Sequence, residues 1–180
     1  SRRPPSVRSA AIGSFSPLMN EPMRDYVSRA SELLFERRYA DAAVLLNNTV
    51  GKHLPRLLKM VNQRHLAGLD EHELRQVHFH VKQVLELDVA AYVKQLAHIE
   101  VPVLFVNGEI DEYTAVSDVR SMSRHIPNCR FATVQGAGHF LELESRQASE
   151  LVQALIMKFL TCDAKDVLPR LGQKLSGVPG

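Results

Sequence analysis

The fold is decided by residues 101–114, which read VPVLFVNGEIDEYT. Val101 to Val106 form a continuous apolar run that Asn107-Gly108 closes, and this pattern is typical of a β-strand buried on both faces. A run of polar and acidic residues follows the strand directly. The stretch therefore predicts a central strand whose carboxyl end carries chemistry.

The segments around this strand predict a parallel sheet. Residues 130–134 form a second strand, and a helical pattern that Pro127 ends separates the two. Residues 7–13 (VRSAAIG) predict a further buried strand, and 148–159 predict a strongly amphipathic last helix. Strands and helices that alternate with short links indicate right-handed crossovers on a parallel sheet. We expect an α/β fold in which residues 1–19 and 99–160 form the core.

Residues 20–98 predict an all-helical block inserted between the first two strands. Asn20 and Pro22 supply an N-cap and an early helical proline, and Asp70 with Glu73 resembles a capping box. The other helices predicted here cover residues 39–48, 54–66 and 89–96. Residues 161–180 lose this periodicity, and we expect a flexible tail.

Composition excludes several classes of protein. The 180 residues are 45% hydrophobic with a net charge of +2, which favours neither a nucleic-acid groove nor a polybasic membrane anchor. No apolar run approaches the roughly 20 residues that span a bilayer, so membrane insertion is not expected. Cys129 and Cys162 lack C-x-x-C spacing, and few thiols suit a reducing, cytoplasmic location, although one disulfide stays open.

Two loops carry the candidate catalytic residues. Asp111 follows the strand that ends at Val106, and His139 follows the next strand within GAGHF. Ligands bind open α/β sheets at the carboxyl ends of the strands, so both side chains belong at one edge. A serine nucleophile needs a histidine base, and that base needs a carboxylate to orient it. The alternatives are an ordinary turn carboxylate and a structural loop histidine.

The nucleophile is missing from this pattern. No G-x-S-x-G elbow occurs in the sequence, and neither Ser14 nor Ser16 precedes a helix as an elbow serine would. Three strands are also few for a sheet of this kind, and the first residue is serine, not methionine. We therefore expect a truncated chain that carries the C-terminal part of an enzyme.

Several segments resemble a known family. The acid and histidine loops resemble those of the α/β-hydrolase superfamily. Further segments resemble the 3-hydroxyacyl-ACP:CoA transacylases of polyhydroxyalkanoate synthesis and the related synthases of rhamnolipid precursors; they are SFSP at 14–17, NEPMRDY at 20–26, TVGKHLP at 49–55, HFH at 78–80 and QVL at 83–85. The resemblance implies a C-terminal part of an α/β-hydrolase fold with about three parallel strands, and a helical block that acts as a cap over an acyl pocket.

The resemblance also implies roles for residues. Asp111 and His139 would be the acid and base of acyl transfer from 3-hydroxyacyl thioesters, and no cofactor would be needed. The expected acyl pocket residues are Ser14, Phe15, Ser16, Tyr113 and Phe140. The alternatives are a thioesterase or esterase of the same fold, and an inactive fragment that binds acyl groups or a carrier protein.

A basic stripe offers a docking surface. Lys52, Arg56 and Lys59 recur at helical spacing, and they would suit an acidic acyl carrier protein or the phosphates of CoA. The plainer interpretation is a solvated helix face. His78 and His80 lie two apart, which directs them to different faces of a helix, so a metal site is not expected.

Overall fold

The computed structural model describes residues 8–15 and 18–161. These residues form a three-stranded parallel sheet, seven α-helices and one 3-10 helix. The strands are β1 (Ala10–Gly13), β2 (Val103–Gly108) and β3 (Cys129–Val134). The helices are α1 (Glu21–Phe35), α2 (Tyr39–Asn48), α3 (Arg56–Ala67), α4 (Glu71–Leu85), α5 (Val89–Leu96), α6 (Val116–Ser123) and α7 (Arg146–Thr161), and the 3-10 helix is Leu141–Leu143.

The sheet has the order β1-β2-β3, with β2 in the centre. Ile12 pairs with Phe105, which in turn pairs with Phe131. All six residues of β2 are buried, as its unbroken apolar run predicts. The predicted parallel α/β arrangement is therefore confirmed.

The first strand differs from its prediction. Among the described residues it begins at Ala10, and Val7 lies outside them. Its residues are alternately half-buried and exposed, with Ala11 and Gly13 exposed, whereas a fully buried strand was expected. In the described structure β1 pairs only with β2, so its other edge has no strand partner there.

Helices cover both faces of the sheet. On one face, Leu104 and Val106 pack with Val152 and Phe159 of α7. On the other, Phe105 and its neighbours pack with Val119 and Met122 of α6 and Leu96 of α5. The strands that carry the acid and histidine loops at their carboxyl ends, β2 and β3, are therefore packed on both faces.

The helices α1 to α5 occupy the predicted block between β1 and β2. Asn20 Oδ1 accepts the N–H of Met23, and Asp70 and Glu73 form the predicted capping box. α3 begins two residues later than predicted, because Pro55 is its N-cap residue. α4 packs on α1 and has no buried residue. The block is therefore more open than the sheet core.

The last helix ends at Thr161 among the described residues, and the predicted flexible tail beyond it lies outside them. None of the helices in residues 8–15 and 18–161 is long and apolar enough to cross a bilayer. The 3-10 helix that precedes α7 was not predicted, since its three residues are too few to show periodicity.

Candidate active site

Asp111 is held by its own loop. Its side chain is inaccessible to solvent, and Oδ1 accepts the backbone N–H groups of Tyr113 and Thr114 at 2.9 Å each. These two bonds fix the orientation of the carboxyl group. They also leave Oδ2 free to face the neighbouring loop.

His139 meets that free oxygen. Its Nδ1 lies 3.0 Å from Asp111 Oδ2, and its side chain is 17% exposed. The two loops therefore bring together residues 28 apart in sequence. An imidazole that donates from Nδ1 to a carboxylate carries its lone pair on Nε2. Within the described residues the ring bonds only through Nδ1, which leaves Nε2 able to accept a proton from a reactant.

The two loops are also joined through their backbones. Glu109 N–H donates to Val134 O and Ile110 N–H donates to Ala137 O, both at 3.0 Å. Gly136 N–H donates to Glu109 Oε2, also at 3.0 Å. These bonds continue the β2–β3 pairing past the strand ends, so the sheet itself fixes the separation of acid and base.

Gly108 is required for this close approach. A Cβ atom here would lie 2.2 Å from Gly138 O and 2.4 Å from Ala137 O, both of them backbone atoms. No side chain fits at that distance. The glycine that closes the apolar run in the sequence thus lets the histidine loop lie against the acid loop.

Asn107 and Thr114 support the acid, and sequence reasoning gave neither a role. The Asn107 amide is fully buried and donates to Thr114 O at 2.8 Å. Thr114 Oγ1 lies 3.5 Å from His139 Nδ1 and 3.4 Å from Ser14 O. The signal was a polar residue inside a buried strand, because such a residue must bond to its surroundings.

Aromatic rings surround the histidine. The rings of Tyr113 and Phe140 have their centroids 6.4 Å and 5.6 Å from that of His139, each edge to face. Tyr26 of α1 packs on Tyr113 at 6.1 Å. Burial, and secondarily the nearby Tyr113, raises the pKa of Tyr26 to about 12. Its hydroxyl therefore stays neutral at ordinary pH, and the helical block contacts the site through an uncharged ring.

The expected pocket residues of the first loop are only partly placed. Ser14 directly follows β1 with a left-handed φ of 41°, and its Oγ is buried without a hydrogen-bond partner among the described atoms. Phe15 is exposed, and Ser16 lies outside the described residues. The structure thus brings Ser14 near the acid and base through Thr114, while Phe15 points a large part of its ring to solvent.

The basic stripe is divided by its contacts. Lys52 Nζ forms an ion pair with Glu112 Oε1 at 2.8 Å, and Lys59 Nζ donates to Lys52 O at 2.8 Å. Arg56 is exposed. Asn20 Nδ2 also donates to Glu112 O at 2.9 Å. Two parts of the helical block thus contact the residue that follows Asp111.

His78, His80 and Cys129 make no hydrogen bond to Asp111 or His139 in the described structure. The ring of His78 packs on Phe35 and that of His80 packs on Phe79, each with centroids 5.8 Å apart. No group of three or more His, Cys, Asp or Glu residues in the described ranges is arranged to hold a metal ion. Cys129 is a free thiol whose pKa burial raises to about 11, and Cys162 lies outside the described residues.

Two cavities in the described structure are lined by residues other than the acid and the base. The larger, about 520 Å³, lies between α1 and α4 and is lined in part by Leu34, Phe35, Leu74 and Val77. The smaller, about 280 Å³, lies behind the histidine loop next to His53. Neither is lined by the Asp111–His139 pair.

The chain is similar to several known proteins. Residues 80–166 match a family model described as TAP-like protein of the α/β-hydrolase type. The chain is 44% identical over 158 residues to the (R)-3-hydroxydecanoyl-ACP:CoA transacylase of Pseudomonas putida, which covers 88% of the chain and 54% of that protein. The Pseudomonas aeruginosa protein of the same name is 40% identical over 159 residues, with 88% and 53% covered. The chain thus spans about half the length of these relatives.

Solved structures show the fold. The acetyl esterase MekB superposes with a TM-score of 0.67 at 17% identity, covering 86% of this chain and 55% of that one. The enol-lactonase of Burkholderia xenovorans superposes with a TM-score of 0.65 at 14% identity, covering 87% and 57%.

The parallel sheet, the helices on both of its faces and these similarities lead to one assignment. The chain has part of an α/β-hydrolase fold, matches the TAP-like family model over residues 80–166, and resembles in sequence the (R)-3-hydroxydecanoyl-ACP:CoA transacylases.

Proposed function

We propose that this chain supplies the acid and base of an acyltransferase that acts on 3-hydroxyacyl thioesters. The observation that carries the proposal is the 3.0 Å contact between His139 Nδ1 and Asp111 Oδ2, which leaves Nε2 free as a base. The names of the Pseudomonas relatives support the substrate class, since they specify 3-hydroxydecanoyl-ACP and CoA.

The proposed reaction has two steps. In the first, a serine hydroxyl attacks the thioester carbonyl while His139 Nε2 takes its proton; the C–S bond then breaks, and the imidazolium protonates the departing thiolate. In the second, an acceptor gives its proton to Nε2 and attacks the acyl-enzyme; the bond between the acyl group and the serine oxygen then breaks, and the imidazolium returns the proton to that oxygen. The buried Asp111 carboxylate stabilises the imidazolium in both steps. The acceptor is CoA; a second 3-hydroxyacyl group or water would give the related synthase or thioesterase reaction.

The serine is proposed to lie outside these 180 residues. No G-x-S-x-G sequence occurs in them, and the relatives are about twice as long as the matched region. Ser14 has a buried hydroxyl, but no helix begins directly after it, because α1 starts at Glu21. We therefore assign Ser14 to the acyl pocket with Phe15, Tyr113 and Phe140. Ser16, which lies outside the described residues, is proposed for the same role from the sequence.

The helical block is proposed to be a cap, and its basic stripe a docking surface for the carrier protein or CoA. Arg56 is the best-placed contact because it is exposed. Lys52 and Lys59 complete the proposed surface, although their ammonium groups have partners within the chain.

Mass spectrometry tests the proposal. The chain is fused to the part of the Pseudomonas putida relative outside the match and is incubated with 3-hydroxydecanoyl-ACP, with and without CoA. We expect 3-hydroxydecanoyl-CoA, and no product from the His139→Ala variant. Free acid with or without CoA would instead identify a thioesterase. Ester hydrolysis by the unfused chain, abolished by His139→Ala, would contradict the missing nucleophile.

A further inference from the structure

A second carboxylate holds the histidine loop from behind. Glu144 Oε2 accepts the backbone N–H of Gly138 at 2.6 Å, and Oε1 accepts that of Phe140 at 3.0 Å. The two donors flank His139 in sequence. Hydrogen bonds from an N–H to an ionised carboxylate are about twice as strong as neutral ones. The peptide on each side of the imidazole is therefore anchored to one side chain.

The backbone makes a tight turn to bring Glu144 back to this loop. Leu141, which begins the 3-10 helix, has a φ of 43°, a conformation uncommon for a leucine. Its side chain is buried in the sheet core with Val106, and a Cβ atom at Gly13 would lie 2.9 Å from Leu141 Cδ1. Burial of the leucine stabilises a backbone conformation that would otherwise be unfavourable.

The carboxylate also lies directly against the loop. A Cβ atom at position 138 would lie 2.9 Å from Glu144 Oε1 and 2.8 Å from His53 Cδ2. Gly138 thus leaves the space that Glu144 occupies. This contact and the strained turn both serve one arrangement, in which Glu144 sits behind His139 while Asp111 faces its ring.

We propose that Glu144 is a positioning residue for His139. By fixing the peptides at 138 and 140, it sets the direction of the imidazole, so that Nδ1 meets Asp111 Oδ2 and Nε2 faces the reactants. Glu144 touches no reactant in this scheme and acts through the backbone. Its importance for catalysis rests on the proposed function, whereas its effect on the ring does not.

Nuclear magnetic resonance of the chain tests this effect without any turnover. Glu144→Gln is compared with Glu142→Gln, which removes one negative charge from an exposed residue of the same turn. The neutral amide has only one oxygen for the two N–H groups. We therefore expect amide exchange at Gly138 or Phe140 to accelerate about tenfold or more, and the His139 Nδ1–H signal to shift and broaden as a second tautomer appears. Glu142→Gln leaves both unchanged.

The outcomes separate the alternatives. If both variants keep the wild-type Nδ1–H signal and tautomer, or change them equally, the proposal is overturned. If Glu144→Gln does not fold, the same signals are measured in the wild-type protein as the temperature is raised. Loss of protection at Gly138 and Phe140 together with the Nδ1–H signal, before the β2 amides exchange, supports the proposal, and a signal that outlasts that protection contradicts it. If the fusion enzyme is inactive but the tautomer of the His139 ring still depends on Glu144, the proposed function is wrong and the positioning role of Glu144 stands.

Discussion

Replacing Asp111 with asparagine should reverse the tautomer of His139. The carboxylate accepts three hydrogen bonds, two from backbone N–H groups at 2.9 Å and one from His139 at 3.0 Å. An asparagine of the same shape keeps its oxygen on the two backbone donors, and its NH₂ group then points at Nδ1. Because two donors cannot bond each other, Nδ1 must lose its proton and Nε2 must gain it. The histidine would no longer be a base toward the reactants.

The size of the effect follows from the same three bonds. Hydrogen bonds to charged groups contribute about 1 kcal/mol more than neutral ones, so three weakened bonds cost roughly 3 kcal/mol. Burial of a neutral amide instead of a carboxylate offsets part of this loss, and we expect the free energy of unfolding to fall by about 2 kcal/mol. In the fused enzyme, the wrong tautomer should lower kcat on the order of 10⁴-fold, as it does in serine proteases.

Two measurements check this prediction. Nitrogen-15 spectra of the histidine ring report the tautomer, and urea denaturation reports the free energy of unfolding. Asp25→Asn is the matched control, since Asp25 is exposed on α1 and undergoes the same chemical change. An Asp111→Asn protein that retains the Nδ1–H tautomer and the stability of the control would refute the reasoning.

Two further predictions concern stability. Gly108→Ala places a methyl group 2.2 Å from Gly138 O, so we expect thermal unfolding to show a loss of about 3 kcal/mol in the free energy of unfolding. In the control Gly68→Ala the nearest neighbour of the methyl group would lie at 3.5 Å, and the loss should be less than about 1 kcal/mol. Equal losses would contradict the steric argument. The pKa of Tyr26 is raised in the folded protein to about 12, so the folded state binds this proton more tightly than the unfolded state, and stability should fall as pH rises from about 10 to 12. Urea midpoints across that range should fall less steeply for Tyr26→Phe, and identical slopes would count against the assignment.

Local signals in the sequence predicted most of the elements. Asn20 and Asp70 marked helix starts through hydrogen bonds made within one turn, and the run before Gly108 marked a strand that needs burial on both sides. Each of these features depends on neighbours close in sequence. Placing Asp111 and His139 after successive parallel strands was enough to predict that they share one edge of the sheet.

Features that depend on distant neighbours were missed. The left-handed φ of Leu141 is opposed by its residue type and stabilised only by the core around it. The bonds of Glu144 and Asn107 depend on loop paths that no short pattern encodes. The exposure of Ala11 in β1 depends on what packs against that face of the sheet. Sequence periodicity indicates which residues of a segment are buried in the core. The features that were missed depend on contacts between segments that are distant in sequence.

The hydrogen bonds that join the acid and histidine loops also constrain how this chain can change in length. One inserted residue between β2 and Asp111 would displace the carboxylate by about 3.3 Å, the rise of one extended residue, which is greater than the 3.0 Å that now separates it from His139 Nδ1. The bonds from Glu109 and Ile110 would lose their acceptors at the same time. Helices α1 to α5 end at Leu96, well before the residues that make these bonds. Insertions and deletions should therefore be tolerated in the helical block, whereas those between residues 107 and 111 should prevent folding. A library of single-residue insertions scored for folding would reveal this contrast.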